Sequence, residues 1–185
     1  MQHAKWVLAA AALTAAATAT AQDQDASGGL EEITVTAQRR EQSLQDVPIA
    51  ITAFTADQLE QRQVFNTYDL VRNIPNLTGN SNVGVGTSSS LYIRGIGNGE
   101  SIATFDLPVG TYVDDVYVAR QNHNNFSLFD VERIEVLRGP QGTLFGRNTT
   151  GGAINVVMKK PGEELKGFVE AGIGRFGLWT ARTSI

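Results

Sequence analysis

The stretch that decides the fold runs from Val131 to Pro161 and reads VERIEVLRGPQGTLFGRNTTGGAINVVMKKP. Two runs within it, Arg133 to Arg138 and Ala153 to Met158, are rich in β-branched and apolar residues and are typical of strands. The segment between them is crowded with glycines: Gly139, Gly142, Gly146, Gly151 and Gly152. Such glycines either cradle a phosphate or let the backbone turn, and the two alternatives predict different classes of protein.

The phosphate alternative fails at the residues that would carry the chemistry. A Walker A loop has two glycines separated by four residues and then Lys and Ser or Thr, because the lysine reaches the phosphates and the hydroxyl binds magnesium. Gly146 and Gly151 have this separation, but Gly152 and Ala153 stand at the Lys and Ser/Thr positions. The stretch 95–99 (GIGNG) lacks the dinucleotide spacing. The glycines are therefore predicted to be backbone joints that permit positive φ and close packing.

Composition excludes several other classes of protein. The chain has no cysteine, which excludes disulfides, thiolate catalysis and cysteine-ligated zinc. Its two histidines are His3 and His123, and it contains no G-x-S-x-G nucleophile elbow. We therefore predict that the protein is not an enzyme, and we assign no catalytic residue, metal ligand or cofactor. A net charge of −4 without a basic block argues against nucleic acid as a partner.

The N-terminus has the three-part pattern of a secretory signal peptide. A positively charged start, Met1 to Lys5, precedes the apolar run Trp6 to Ala17, and Ala19-Thr20-Ala21 offers small residues for cleavage. The apolar run is too short to cross a bilayer as a helix. Residues 1–21 are therefore predicted to be a signal peptide, and the mature chain is predicted to be exported.

Residues 22–42 are predicted to be a flexible segment that contains one short strand. In Ile33 to Ala37, apolar and polar residues alternate, and polar sequence surrounds the run on both sides. We expect this strand to have no local partner, which suits a segment that pairs with another protein's sheet edge by strand addition. An edge strand of the following domain has the same pattern and remains an alternative.

Residues 43–160 are predicted to form a small α+β domain with a mixed β-sheet and short helices, because strands and helices alternate without βαβ periodicity. Thr55 is the predicted N-cap of a helix over residues 56–63, and a second helix is expected after Thr67. Asp114-Asp115 is predicted to form the turn of a hairpin or a bulge, although the usual Asp-Gly turn pair is missing. The remaining predicted strands are 49–54 and 91–94, and the predicted loops are 80–90, 96–107 and 120–126.

The sequence after Pro161 alternates in a different way. Apolar Val169, Ala171 and Ile173 share one face of a predicted strand, Arg175 to Gly177 can turn the chain, and a second alternating run begins at Trp179. An apolar face opposite a small or polar face is typical of membrane-barrel strands. An ordinary half-buried hairpin produces the same pattern, so both remain open.

Several of these segments resemble the plug signature of TonB-dependent outer-membrane receptors. The resemblance lies in Glu135 to Pro140, Leu144 to Gly146 and Gly151 to Val156. Ile33 to Ala37 resembles the family's TonB box, and Ile93-Arg94-Gly95 resembles its first plug arginine motif. The resemblance covers residues 31–166, and Asp115 stands where the family commonly has glycine.

The resemblance implies a domain organisation and a transport function. Residues 43–160 would be the plug that fills the lumen of a barrel of about 22 strands, and residues 161–185 would be the start of that barrel, truncated. The protein would be an outer-membrane receptor for TonB-dependent uptake of a scarce nutrient, a small-molecule substrate such as a ferric siderophore. A stand-alone periplasmic TonB-binding plug module or a non-functional gene fragment is the alternative.

The resemblance also implies site residues and partners. TonB, energised through ExbB and ExbD, would pair with Ile33, Thr34, Val35, Thr36 and Ala37. Arg94 and Arg138 would contact glutamates on the wall of the receptor's own barrel, which this sequence does not contain. Substrate would bind at the outward apex of the plug, where the predicted loops 80–90, 96–107 and 120–126 are candidates without assigned contact residues.

Overall fold

A five-stranded mixed sheet forms the centre of the computed structural model, which describes residues 32–81, 88–102, 104–162 and 167–184. Its strand order is β3-β9-β10-β7-β8, with β10 and β7 parallel and the other neighbours antiparallel. These strands are β3 (Ile51–Thr55), β7 (Val109–Val113), β8 (Val116–Tyr117), β9 (Val131–Arg138) and β10 (Gly152–Met158). The predicted α+β fold with a mixed sheet is confirmed.

The stretch from Val131 to Pro161 supplies the two central strands. β9 and β10 pair along their length, and the short helix α2 (Gly142–Phe145) lies in the glycine-rich connection between them. Gly152 has φ 152°, and a Cβ built there would lie 2.3 Å from the backbone oxygen of Leu137. Since no side chain fits at that distance, the prediction of a backbone joint is confirmed at this position.

One face of the sheet packs against helices and a second small sheet. Helix α1 (Ala56–Gln61) begins at Thr55, which forms a capping box with Gln58 as its N-cap identity predicts. The second predicted helix is a 3₁₀ helix, Thr67–Arg72, and its N-cap is Asn66. The antiparallel sheet of β4 (Leu77–Ser81), β5 (Ser89–Ile93) and β6 (Ile96–Gly97) completes this layer.

The apolar core on this face is built from side chains of the central sheet, helix α1, the 3₁₀ helix, β4 and β5, together with residues that connect them. Its buried members are Phe54, Leu59, Val64, Leu70, Ile74, Leu77, Leu91, Ile93, Val109, Val131, Ile134, Val136, Ile154 and Val156.

The N-terminal segment covers the opposite face of the sheet. Strand β1 (Thr34–Val35) pairs with β2 (Gln42–Ser43), so the prediction that Ile33 to Ala37 has no local strand partner is wrong. Apolar burial explains the difference, because Val35 and Ala37 lie in a second core with Val47, Ala53, Tyr112, Leu137, Phe145 and Ala153. Residues 32–42 are therefore packed against the sheet, whereas residues 1–31, including the predicted signal peptide, lie outside the described part.

The predicted hairpin between β7 and β8 forms despite its unusual turn. Val113 pairs with Val116, which leaves a two-residue turn of Asp114 and Asp115. Both have positive φ, 45° and 66°, as a type I′ turn requires. Aspartate tolerates this conformation better than most residues because its short polar side chain hydrogen-bonds locally. Asp115 therefore keeps the turn geometry that a glycine would have at this position.

The loops predicted for substrate contact are shorter than expected. β4 ends at Ser81 and β5 begins at Ser89, and residues 82–87 between them lie outside the described part. β6 occupies the start of the predicted loop 96–107, and a 3₁₀ helix, Gln121–His123, lies within the loop 120–126.

The C-terminal residues form the predicted hairpin of β11 (Phe168–Ile173) and β12 (Trp179–Ser184), with the turn at Arg175–Gly177. Paired residues such as Ile173 and Trp179 share one face, which is exposed, while the ring of Phe168 on the other face contacts Phe129. Among the described residues, no helix combines the length and the apolar composition needed to cross a lipid bilayer.

Candidate functional site

The predicted TonB box, Ile33 to Ala37 and hereafter the box segment, is bound to β9 through a buried carboxylate. The amide N of Thr36 donates to Glu135 Oε1 over 2.7 Å, and its hydroxyl donates to the same oxygen over 3.1 Å. The side chain of Glu135 is 0% exposed. Because hydrogen bonds to a charged acceptor are stronger than neutral ones, this contact fixes the segment at Thr36.

Arg133 balances the charge of this carboxylate. Its Nε donates to Glu135 Oε1 over 2.9 Å, and its Nη2 donates to the Thr36 hydroxyl oxygen over 3.2 Å. It also pairs with the exposed Glu132. Alternation along β9 places Arg133 and Glu135 on the sheet face that the box segment covers. All of these contacts are made by Oε1, and the buried Oε2 has no hydrogen-bond partner among the described residues. The ion pair with Arg133 is therefore what makes a buried carboxylate tolerable there.

The residues beside Thr36 add apolar and cationic contacts. Val35 and Ala37 are buried in the second core. The guanidinium of Arg39 donates from Nε to the backbone oxygen of Leu144 over 2.8 Å and lies 5.4 Å from the centroid of the Phe145 ring. These contacts hold the chain against α2 just after the box segment.

Two tyrosines, Tyr112 and Tyr117, lie on the face of the sheet that the N-terminal segment covers. The hydroxyl of Tyr112 donates to the backbone oxygen of Phe145, and the amide of Asn148 donates to the hydroxyl of Tyr117. Burial raises the pKa of both tyrosines above the ordinary value. A negative charge on Tyr117 would raise the pKa of Tyr112 further. Both side chains therefore remain neutral hydrogen-bonding groups at physiological pH.

The side chain of one predicted plug arginine, Arg94, lies near the residue that follows the other, Arg138. Arg94 follows β5 with φ 53°, and Arg138 is the last residue of β9. Nη1 of Arg94 lies 3.5 Å from the position of a Cβ built on Gly139, the residue after Arg138. Within the described ranges, neither side chain forms an ion pair, and the buried Nε of Arg138 has no hydrogen-bond partner.

The box segment and the two predicted plug arginines, Arg94 and Arg138, form separate sites. Both involve β9, but the box segment contacts it at Glu135 while Arg138 ends the strand. In the part of the chain that the structure describes, no hydrogen bond or ion pair joins the box segment to either arginine.

Two of the three predicted substrate loops line one cleft. Its residues are Glu100, Ser101, Ile102, Phe105, Leu107, Arg120, Gln121, Asn122 and His123. Buried Asn124 anchors one side, because its amide donates to the backbone oxygen of Ser89 over 3.3 Å and its own backbone oxygen accepts from the Thr67 hydroxyl. Ile102 and Phe105 are about half exposed and give the cleft an apolar surface.

No resident metal site is evident in the described residues, since they contain no group of three His, Cys, Asp or Glu side chains placed to bind an ion.

Sequence reasoning missed Arg133 and Glu135. The sequence analysis places both residues in the predicted strand Arg133 to Arg138 and gives neither a contact with the box segment. The available signal is the register of β9, because Leu137 on the same face must be buried and a charge two residues away then requires a partner. That partner, Thr36, lies 99 residues earlier and could not be identified from the pattern alone.

Comparison with known proteins identifies the fold. The family model described as TonB-dependent Receptor Plug Domain matches residues 43–153. The chain belongs to this plug family. The resemblance seen in the sequence is therefore confirmed, as is the expectation that the protein is not an enzyme, because the family comprises transport receptors.

Three relatives illustrate the family. The chain is 30% identical over 158 residues to the iron-regulated outer membrane virulence protein of Vibrio cholerae, covering 80% of this chain and 23% of that protein. It is 28% identical over 127 residues to the vitamin B12 transporter BtuB of Vibrio vulnificus, covering 69% and 20%. The crystal structure of the ferric yersiniabactin uptake receptor FyuA from Yersinia pestis is similar with a TM-score of 0.64 and 29% identity, covering 72% and 20%. The chain thus spans about a fifth of the length of these relatives.

Proposed function

We propose that this plug belongs to an outer-membrane active-transport receptor that takes up a scarce nutrient, such as a ferric siderophore, in a TonB-dependent manner. The observation that carries the proposal is the position of the box segment. It lies just before the plug-family match at residues 43–153 and is attached through its own backbone amide. A segment that is recognised through its backbone can be passed to another sheet edge with little dependence on side chains.

The relatives support a small, scarce nutrient as the substrate. One is described as iron-regulated, one as a vitamin B12 transporter and one as a ferric yersiniabactin receptor. Two of these three descriptions concern iron, which favours a ferric siderophore over a vitamin. The cleft between the loops 96–107 and 120–126 is the candidate binding surface, and its half-exposed Ile102 and Phe105 suit an organic ligand.

The proposal gives Arg94 and Arg138 the role of contacts with glutamates on the receptor's barrel. The buried Nε of Arg138, which lacks a hydrogen-bond partner among the described residues, supports this role, because a buried guanidinium needs a carboxylate or another acceptor. The exposed apolar face of β11 and β12, with Val169, Ile173 and Trp179, is consistent with the first strands of that barrel.

The proposed location is the outer membrane, with the plug inside the barrel and the N-terminus in the periplasm. The signal-peptide pattern of residues 1–21 and the outer-membrane description of the relatives support it. The partners in this scheme are TonB, energised by ExbB and ExbD, and a small-molecule substrate.

A proline substitution tests the proposal in cells that express the complete receptor. Thr34→Pro removes a backbone N–H and fixes φ within the box segment, so we expect energy-dependent uptake to be lost while substrate binding at the cell surface remains. Thr34→Ala is the matched control, because the Thr34 side chain is exposed and alanine keeps the N–H. Uptake is measured as accumulation of radioactive iron supplied on siderophores from iron-starved culture medium. Equal uptake by the proline and alanine variants would contradict the TonB-box assignment.

A further inference from the structure

The buried side chain of Gln121 connects the two sides of the candidate binding cleft. We call residues 98–102 the first wall of this cleft and residues 120–124 the second wall. Gln121 belongs to the second wall and is 5% exposed. Its amide reaches the backbone of the first wall and strand β5 at the same time, so one side chain joins both walls to the sheet beneath them.

Both orientations of the Gln121 amide make this connection. In one, Nε2 donates to the backbone oxygen of Glu100 over 2.7 Å, and Oε1 accepts from the backbone N–H of Ser90 over 3.3 Å. In the other, Nε2 donates to the backbone oxygen of Asn98 over 3.3 Å and to the hydroxyl oxygen of Ser90. The first orientation is the more favourable one, because both ends of the amide then face a group of the opposite kind. The link between the walls is present in either case.

Each wall also has an anchor of its own at the start of β5. In the first wall, the hydroxyl oxygen of Ser101 lies 2.8 Å from that of Ser88. In the second wall, the amide of Asn124, which is 2% exposed, donates to the backbone oxygen of Ser89 over 3.3 Å. These anchors attach each wall to β5, whereas the Gln121 amide also attaches one wall to the other.

We propose that Gln121 is a positioning residue that sets the spacing between the two walls of the cleft and, through that spacing, the affinity for substrate. The inference rests on the proposed function, in which this cleft binds the substrate. It assigns a role to a side chain that is nearly fully buried and therefore acts on the walls rather than as a large contact surface for the substrate.

The physical reason is the cost of ordering a binding site. Connecting loops are mobile, and a ligand that must immobilise them loses part of its binding free energy. A side chain that holds both walls at one spacing before the ligand arrives removes that cost. Without the Gln121 amide, its backbone partners regain their hydrogen bonds from water, which favours a wider and more variable cleft.

Two substitutions separate this role from a general loss of buried hydrogen bonds. Gln121→Met keeps the length and approximate volume of the side chain but removes the amide. Thr67→Val is the matched control, because Thr67 is 0% exposed, does not line the cleft, and donates its hydroxyl proton to the backbone oxygen of Asn124. Both variants lose a buried hydrogen bond near the second wall, but only Gln121→Met loses the bond between the walls.

The chain has no cysteine, so pairs of introduced thiols can carry spin labels at chosen positions. Ile102→Cys with Asn122→Cys reports the spacing of the walls, and Glu60→Cys on α1 with Asn122→Cys reports the second wall against the rest of the plug. Double electron–electron resonance measures both distances in the full chain. We expect Gln121→Met to lengthen and broaden the 102/122 distances and to leave the 60/122 distances unchanged. Thr67→Val should leave the 102/122 distances unchanged.

Two spin-label results would overturn the inference. Identical 102/122 distances with and without Gln121→Met would mean that the amide does not hold the walls. An equal broadening of the 102/122 and 60/122 distances would mean that it stabilises the whole domain rather than the cleft.

The concentration dependence of uptake links the spacing to the substrate. Cells that express the complete receptor are given radioactive iron on siderophores from iron-starved culture medium, and uptake is normalised to the amount of receptor in the outer membrane. We expect Gln121→Met to raise the half-saturating concentration about tenfold with an unchanged maximal rate, and Thr67→Val to change neither. An unchanged half-saturating concentration in Gln121→Met would overturn the positioning role. Absence of uptake by the unaltered receptor would instead contradict the proposed siderophore transport, and the spin labels would still decide whether Gln121 holds the walls.

Discussion

The turn between β7 and β8 allows a sharp test of the backbone argument, because two adjacent aspartates in similar conformations have different partners. We predict that Asp115→Gly is more stable than Asp114→Gly by about 1 kcal/mol. In both variants, glycine removes the cost of a left-handed residue, about 1–2 kcal/mol, and adds about 0.5–1 kcal/mol of unfolded-state entropy. These terms are similar at the two positions and largely cancel in the comparison.

The difference comes from the side chains. Asp114 Oδ1 accepts from the Met158 N–H over 2.9 Å, so its removal costs about 1 kcal/mol or slightly more. Asp115 contributes one exposed ion pair with Arg39 at 3.6 Å, and such pairs contribute between about 0 and 1 kcal/mol. Asp115→Gly should therefore be neutral or stabilising, and Asp114→Gly should be the less stable of the two variants.

Urea-induced unfolding of the chain, followed by circular dichroism, measures both free energies of unfolding. Asp115→Asn is the control, because asparagine tolerates positive φ but removes the charge, and it should differ from the unaltered chain by no more than about 0.5 kcal/mol. If Asp114→Gly proves as stable as Asp115→Gly, the bond to Met158 does not support the hairpin and the argument is refuted.

Three further predictions concern other parts of the plug. Burial raises the pKa of Tyr112 and Tyr117 above the ordinary value of 10.0. Their contribution to stability should therefore be complete below pH 10 and be lost as the pH rises through the folded-state pKa. Phenolate absorbance against pH, compared between the unaltered chain and its Tyr→Phe variants, checks this. Thr55→Ala should lower the free energy of unfolding by about 1 kcal/mol while Thr55→Ser changes it little, as urea titration would show. In the complete receptor, Arg138→Ala and removal of the barrel glutamate that we propose as its partner should be strongly coupled, with a cost on the order of 3 to 5 kcal/mol for the single loss. Limited proteolysis of outer membranes measures this, and purely additive effects would exclude a pair.

Local chemistry explains why much of the fold could be predicted from the sequence. The strands β9 and β10, the N-cap at Thr55 and the turn at Asp114-Asp115 each depend on residues close together in the chain. In the C-terminal hairpin, a period of two placed Ile173 and Trp179 correctly on one face. The location of the second helix start was off by one residue, because Asn66 and Thr67 are both good N-caps.

The parts that could not be predicted depend on distant residues. β2 consists of Gln42 and Ser43, which have no strand pattern, and it forms because the burial of Val35 brings the backbone into place. The docking of Thr36 on Glu135 joins residues that are far apart in the chain, so no local window contains both. The two plug arginines were predicted from resemblance, and the approach of the Arg94 side chain to Gly139 became evident only from the structure.

The edge position of β3 has a mechanical consequence. Tension applied at the N-terminus would first reach the two-residue ladder of β1 and β2, then the contact of Thr36 with Glu135, and then β3. Because β9 is the one strand that β3 pairs with in the described part of the chain, the departure of β3 breaks one ladder and leaves β9, β10, β7 and β8 paired. Force on this molecule would therefore be relieved in successive small ruptures, each of a few hydrogen bonds, and the four remaining strands would still form a sheet.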